Sequence, residues 1–248
     1  MKSRPVAFVS LGEYDNLGVC YLAGVLSEAK YLTRSIDIRT GKEKILVILR
    51  EIKPLIVGFS VIYEDYIDMF ADMIRFFRGN GIECHFVAGG FHASLRHDEL
   101  LRIIPELDSV VRFEGEYTLL ELADCIREGR DWKEIRGLAY RNGNITVTNP
   151  LRPVQKDLDL FPFPARASLK EYAFGRKFTT LIAGRGCVHN CSFCNIREFY
   201  HQSGGPARRI RNAEKVVSEM ESLHKREGCS VFLFSDDDFP VNHNGGND

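Results

Sequence analysis

The sequence has no excess of either charge. Its 248 residues carry 33 Lys and Arg against 34 Asp and Glu, a formal net charge of −1. So balanced a chain offers no electrostatic case for a nucleic-acid or membrane partner. Long apolar runs are also missing, and none approaches the roughly 20 residues that span a bilayer. The opening MKSRPVAFVSLGEY lacks a cleavage pattern and turns polar at Glu13, so it reads as a first strand and not a signal peptide. Cysteines number seven. An odd count without an export signal argues against a disulfide framework and for a cytoplasmic protein. Four of them, Cys20, Cys84, Cys125 and Cys229, stand beside apolar residues and read as small buried hydrophobes.

What is present is a hydrophobic content of 44%, enough for one large domain or two small ones. Up to about residue 128, short apolar runs alternate with amphipathic stretches. Strands are expected at 6–11, 35–40, 55–61, 84–90 and 109–114, largely apolar throughout, as strands covered on both faces must be. Helical spacing marks 43–52, 64–78 and 116–127. This alternation predicts a parallel, doubly wound α/β sheet, whose ligands bind outside the carboxyl ends of the strands. Those ends carry Ser60, then Gly89 and Gly90 in GGFHAS, then Glu114 in RFEGE. GxGxxG is absent, so no dinucleotide fingerprint is present. The paired glycines either turn the chain or let a ligand approach the backbone.

The stretch 137–149 reads as a hairpin around Asn142-Gly143. Pro150, Pro153, Pro162 and Pro164 then exclude a helix and mark an extended linker. The expected organisation is a doubly wound domain over 1–136, hairpin and linker over 137–176, and a second domain over 177–248. That domain opens with a strand at 178–184 and a polar loop to about 211. A helix capped by Asn212 follows, with Val216, Val217, Met220 and Leu223 as its apolar face. A strand at 230–235 then runs into Asp236, Asp237 and Asp238.

The polar loop contains GRGCVHNCSFCN, with Cys187, Cys191 and Cys194. A closed zinc site needs four ligands, usually as two separated pairs; no second pair exists, and His189 or His201 would be a fourth ligand at an unfamiliar spacing. A disulfide would leave one cysteine over. Three thiolates on a short loop suit an iron–sulfur cubane with one iron left open. Gly184 and Gly186 let such a loop wrap closely, and Phe193 offers apolar cover.

CxxxCxxC with an aromatic residue before the third cysteine, at the end of a strand that opens a β/α unit, resembles the radical S-adenosylmethionine (radical SAM) superfamily. With GGFHAS, RFEGE and the linker LDLFPFPAR upstream, the chain is similar to the subgroup with a cobalamin-binding domain. The resemblance implies a cobalamin-binding-like domain followed by the first two β/α units of a partial barrel. It implies that Cys187, Cys191 and Cys194 each hold one iron of a [4Fe-4S] cluster. S-adenosyl-L-methionine (SAM) chelates the fourth iron and is cleaved to a 5′-deoxyadenosyl radical, in methylation, rearrangement or cyclisation of an unknown small molecule. An electron donor such as flavodoxin or ferredoxin is implied as partner. Ser60, Gly89, Gly90 and Glu114 become candidate cobalamin contacts; Phe193, Asp236, Asp237 and Asp238 become candidate SAM contacts. Arg209 and Arg211 fall where similar sequences carry basic residues near the cofactors; a solvated basic loop is the plainer expectation.

The sequence departs from that pattern in two places. DxHxxG, which supplies a histidine to cobalt in cobalamin methyltransferases, is absent; the nearest segment, Glu13 to Gly18, has no histidine. His92 is one residue beyond the glycine pair, where a hydrogen-bonded loop histidine is the ordinary expectation. Residues 177–248 also suffice for about two β/α units, where the family's barrel has six. The chain is therefore expected to be an N-terminal portion, or completed by another chain, without turnover alone. The tail NHNGGND is expected to fray, and the strand at 230–235 to expose an edge. Alternative functions are a cobalamin- or nucleotide-binding module with a non-catalytic cluster, and a methylthiotransferase-like enzyme with a second cluster. Against the latter, Cys20 and Cys125 fall in helices and Cys84 opens a strand.

Overall fold

The structure is a computed structural model that describes residues 4–12, 16–166, 169, 171–172 and 175–239. The terminal segment NHNGGND lies outside them. The chain divides into two compact units, Met1–Arg152 with Pro162–Ala165, and Pro153–Phe161 with Arg166–Asp248.

Unit 1 runs β1 (Val6–Ser10), α1 (Leu17–Glu28), β2 (Thr33–Asp37), α2 (Lys42–Ile52), β3 (Ile56–Ser60), α3 (Ile67–Gly79), β4 (His85–Gly89), α4 (Phe91–Leu95), α5 (His97–Ile103), β5 (Ser109–Val111), α6 (Glu116–Glu128), β6 (Leu138–Asn142) and β7 (Ile145–Thr148). These strands form one sheet in the order β2-β1-β3-β4-β5-β6-β7. β1 to β5 pair in parallel, and β6 and β7 add antiparallel. The expected hairpin is thus part of the sheet, joined to β5.

The apolar strands follow from cover on both faces. Ala7, Val9, Val57 and Phe59 pack into one core with Ile45, Leu49, Phe70, Ile74 and Phe77 of α2 and α3. Val6, Phe8, Ile56 and Val87 point the other way, onto Val19, Ala23 and Leu26 of α1 and Leu119 and Leu122 of α6. Phe59 meets Phe86 and Phe70 edge-on, with ring centroids 5.5 and 6.4 Å apart, a geometry worth about 0.5–1.5 kcal/mol beyond area burial. The linker residues Pro162–Ala165 lie on α1 at Gly24, where a Cβ would come within 2.9 Å of the Phe163 carbonyl.

Unit 2 holds β8 (Glu171–Tyr172), β9 (Arg176–Leu181), β10 (Gly184–Gly186), α7 (Ile196–Gln202), β11 (Arg208–Ile210), α8 (Ala213–Glu227) and β12 (Cys229–Phe234). β9 and β12 pair in parallel, β8 lies antiparallel on β9, and β10 and β11 form a separate ribbon. Leu181, Leu223 and Cys229 are buried together, with Met220, Phe232 and Phe234 packed against them. The Asn212 side chain caps α8, accepting from Glu214 N at 2.8 Å.

Three expectations need correction here. The polar loop before residue 211 contains α7 and the β10–β11 ribbon. Val217 is exposed, and Glu219 is buried in its place. Arg209 and Arg211 are not solvated; both are buried. Glu219 lies between two guanidinium groups, 2.8 Å from Arg166 Nη2 and 2.7 Å from Arg211 Nη2. Arg166 also donates to the Thr180 carbonyl and Arg211 to that of Ile182. A charged residue is tolerated inside because it is paired and its partners are hydrogen-bonded.

Candidate functional site

Two regions carry chemistry, one in each unit. In unit 1 the strand order reverses at β1, which lies between β2 and β3. Such a switch point opens a crevice at the carboxyl ends. Asn16 caps α1 through Oδ1, 3.2 Å from Val19 N, and donates from Nδ2 to Ser60 Oγ at 3.2 Å. The start of α1 is thereby tied to the end of β3, where Ser60 is half-buried. Neither the cap at Asn16 nor its bond to Ser60 was foreseen from the sequence. Glu13, Tyr14 and Asp15 lie outside the described residues.

The two glycines after β4 play different parts. Gly90 has φ +106, and a Cβ there would come within 2.9 Å of the Val61 carbonyl oxygen. Val61 in turn accepts from Ala93 N and donates to the Gly89 carbonyl. Gly90 is thus demanded by the fold itself. Gly89 is not: a Cβ there meets Val111 only at ordinary contact distance, 3.5 Å and beyond. Ser94 Oγ clips the turn, donating to the Gly90 carbonyl at 2.8 Å and accepting from Phe113 N at 2.7 Å. Phe113 takes a positive φ of 62° at the end of β5, and Glu114 beside it is half-buried. His92 is half-buried, and its Nε2 is enclosed without a hydrogen-bond partner. The expected hydrogen-bonded loop histidine therefore has an orphaned ring nitrogen. Tyr63 and Tyr66, exposed just beyond Ser60 with ring centroids 6.3 Å apart, were not foreseen. A crevice at a switch point, a backbone position open to close approach and an unpartnered nitrogen fit a bulky polar ring ligand such as a corrin.

In unit 2 the cysteine loop follows β10 and lies between the two strands of the β10–β11 ribbon. Gly184 and Gly186 serve the ribbon: Cβ atoms there would come within 2.7 Å of the Arg209 carbonyl and 2.1 Å of the Ala207 carbonyl, and Gly186 has φ +87. Cys187, half-buried, starts the loop; Cys191 and Cys194 are exposed, and none of the three is in a disulfide. His189 N approaches Cys187 Sγ at 3.4 Å, and Cys194 N donates to the Cys191 carbonyl at 3.1 Å, folding the loop on itself. Three unpaired thiols within eight residues fit a cluster that takes three protein ligands. Phe193 is 91% exposed and covers none of the described residues.

The aspartates after β12 are all engaged. Asp236 accepts from Gly184 N at 2.6 Å and from Ala183 N at 3.0 Å. Burial pushes its carboxyl pKa up, and these two amides work against the rise. Asp237 is also pushed up by burial, opposed by the Gly186 amide at 3.3 Å and the Tyr200 hydroxyl. For Asp238 burial acts upward too, yet Arg208 at 3.0 Å holds the carboxyl below its ordinary value.

Comparison with known proteins agrees with both regions. The B12 binding domain model matches residues 3–123, and the Radical SAM superfamily model matches 181–247. An uncharacterized methyltransferase of Pyrococcus horikoshii is 30% identical over 91% of this chain and 49% of its own length. The anaerobic magnesium-protoporphyrin IX monomethyl ester cyclase of Cereibacter sphaeroides is 29% identical over 93% of this chain and 39% of its own. A structure of the radical SAM methyltransferase TsrM from Kitasatospora setae, with cobalamin and a [4Fe-4S] cluster bound, superposes with TM-score 0.75. It shares 22% identity over 95% of this chain and 49% of that one, a likeness of fold. The chain belongs to the radical SAM superfamily. Within it, the chain belongs to the subgroup in which a cobalamin-binding domain precedes the radical SAM domain. It spans about half the length of the curated relatives it matches. Among the described residues no helix is long and apolar enough to cross a membrane.

Proposed function

We propose that this chain holds a [4Fe-4S] cluster on Cys187, Cys191 and Cys194 and a cobalamin at the carboxyl edge of the unit 1 sheet. It does so within an enzyme that uses SAM to methylate, rearrange or cyclise a small-molecule substrate. The observation that carries the reading is the loop from 187 to 194, with three free thiols and no fourth cysteine. A reduced cluster of this kind supplies one electron for cleaving the sulfonium of SAM. The residues of the chain supply position. Asp236 fixes the strand-to-ribbon turn ahead of Cys187 through two amides, and the Arg211 bond to the Ile182 carbonyl steadies the same segment. Asp237 and Asp238 stand at the carboxyl end of β12, the side on which β/α barrels do their chemistry. They are the candidates to meet polar groups of SAM.

In unit 1, Gly89 lets the corrin approach the backbone, Ser60 and Asn16 line the crevice, and Glu114 and the Tyr63–Tyr66 pair border it. The relatives named above include a methyltransferase and a cyclase, so the substrate of this protein is described only as a small molecule. The proposed electron donor is a flavodoxin or ferredoxin, and the proposed location, from the odd cysteine count, is the cytoplasm.

Anaerobic purification and reconstitution test the reading. About four irons and four sulfides per chain are expected, all lost on Cys191→Ala, together with retained corrinoid. Zinc without sulfide would overturn the cluster, and absence of corrinoid at saturating cobalamin would overturn the role of unit 1.

A further inference from the structure

Cys187 has neighbours other than cysteines. A ligand atom of Cys187, one of His189 and a carboxylate oxygen of Asp238 all lie within 4.8 Å of one another. These side chains come from the cysteine loop and from the turn after β12, so the fold gathers them and not only the local sequence. Thiolate, imidazole and carboxylate are the three donor types that zinc accepts, and three protein ligands with one open position is its usual non-structural arrangement. Tetrahedral coordination sets such atoms about 3.5 Å apart. The remaining gap is within reach of the exposed His189, which also leaves an entry path for the ion.

Asp238 is prepared for the role. Arg208 Nη1 holds its Oδ2 at 3.0 Å. A ligating carboxylate is commonly fixed by such an outer hydrogen bond. The Arg208 cation is offset by the carboxylate, and a thiolate at Cys187 adds a second negative charge.

We infer that the cluster-free protein binds one divalent first-row cation, zinc foremost, through Cys187, His189 and Asp238. Binding releases the Cys187 thiol proton to solvent, takes His189 as neutral imidazole, and uses Asp238 as it stands. No electron is transferred. Cys187 cannot serve this ion and a cubane together, so the bound cation excludes the cluster. Only that competition rests on the cluster reading proposed above; the mixed site itself does not.

The test uses a chain that cannot build the cluster, Cys191→Ala with Cys194→Ala, titrated with Co²⁺ without oxygen. The expected result is one equivalent bound, with tetrahedral visible bands, a thiolate-to-cobalt charge-transfer band, and displacement by Zn²⁺. His189→Ala or Asp238→Asn in that background should weaken binding by at least about tenfold. His189 is exposed and Asn keeps the shape of Asp, so a folding defect does not mimic the loss. Absence of the tetrahedral spectrum, or affinity indifferent to both substitutions, overturns the inference. In the otherwise unmodified chain, Zn²⁺ loaded first should slow cluster reconstitution, and His189→Ala should relieve the delay. A chain that takes four irons while the double variant ignores Co²⁺ sinks this site alone. The reverse pattern sinks the cluster alone.

Discussion

Asp236 binds the backbone of Gly184, its carboxylate oxygen 2.6 Å from the amide nitrogen. The segment just after β12 thus holds the start of the ribbon that presents Cys187. Asp236→Ala removes the acceptor for this amide and for that of Ala183. Leaving part-buried amides unpaired costs about 1–3 kcal/mol. The variant should lose hydrogen-exchange protection at Ala183 and Gly184 first, and take up iron more slowly. Unchanged protection at both amides would show that the bond contributes nothing.

Some of this architecture was legible in the sequence, for physical reasons. The strands of unit 1 are apolar on both faces, and such runs allow little else. Asn212 and the three cysteines announce themselves locally. The β10–β11 ribbon did not, since strands of three residues carry no period and their pairing is set by two glycines pressed against a neighbouring carbonyl. Helical spacing correctly found α8 and the inward Val216, Met220 and Leu223, but placed Val217 inside and missed Glu219. Glu219 is buried only because Arg166 and Arg211, distant in sequence, arrive to pair with it. The Asn16–Ser60 bond spans 44 residues and leaves no mark on either segment alone.

Glu219→Gln should be among the most damaging single changes in unit 2. Its side chain is 2% exposed, between guanidinium groups 3% and 5% exposed. Neutralising it leaves two buried cations without their anion, and breaking a buried pair this way costs about 3–5 kcal/mol. Hydrogen exchange at the carboxyl end of β9, where Arg166 donates to the Thr180 carbonyl and Arg211 to the Ile182 carbonyl just beyond the strand, should rise by orders of magnitude. A change below tenfold would place the charge compensation elsewhere.

Unit 1 should lose stability on mild acidification, through His85. Its ring is edge-on to Trp132 at 4.8 Å, with Nε2 2.8 Å from Ser109 Oγ. Desolvation is the main reason its pKa falls from 6.5 to about 4; Arg78 adds to the drop and Asp108 opposes it. The folded state therefore binds the proton more weakly than the unfolded chain. The stability is fully present above pH 6.5 and is lost as pH falls from there towards 4, by about 3 kcal/mol in all. Trp132 is the single tryptophan of the chain, so its fluorescence reports urea unfolding of this unit. The urea midpoint should drop between pH 7 and pH 4.5, and His85→Gln should flatten that dependence.

The glycine pair separates a turn from a ligand contact. At Gly90 a side chain meets both a positive φ and the Val61 carbonyl at 2.9 Å, so Gly90→Ala should destabilise unit 1 by about 1–3 kcal/mol with or without cobalamin. At Gly89 the added methyl group meets only ordinary contacts, so Gly89→Ala should leave the urea midpoint nearly unchanged without ligand. If the corrin packs on the backbone at Gly89, the same methyl group stands in its way, and corrinoid retention should fall at least about tenfold while stability holds. A Gly89→Ala protein that keeps its corrinoid would remove Gly89 from the contact surface. The glycine pair would then serve the turn alone, and the unpartnered ring nitrogen of His92 would become the better guide to where the ligand lies.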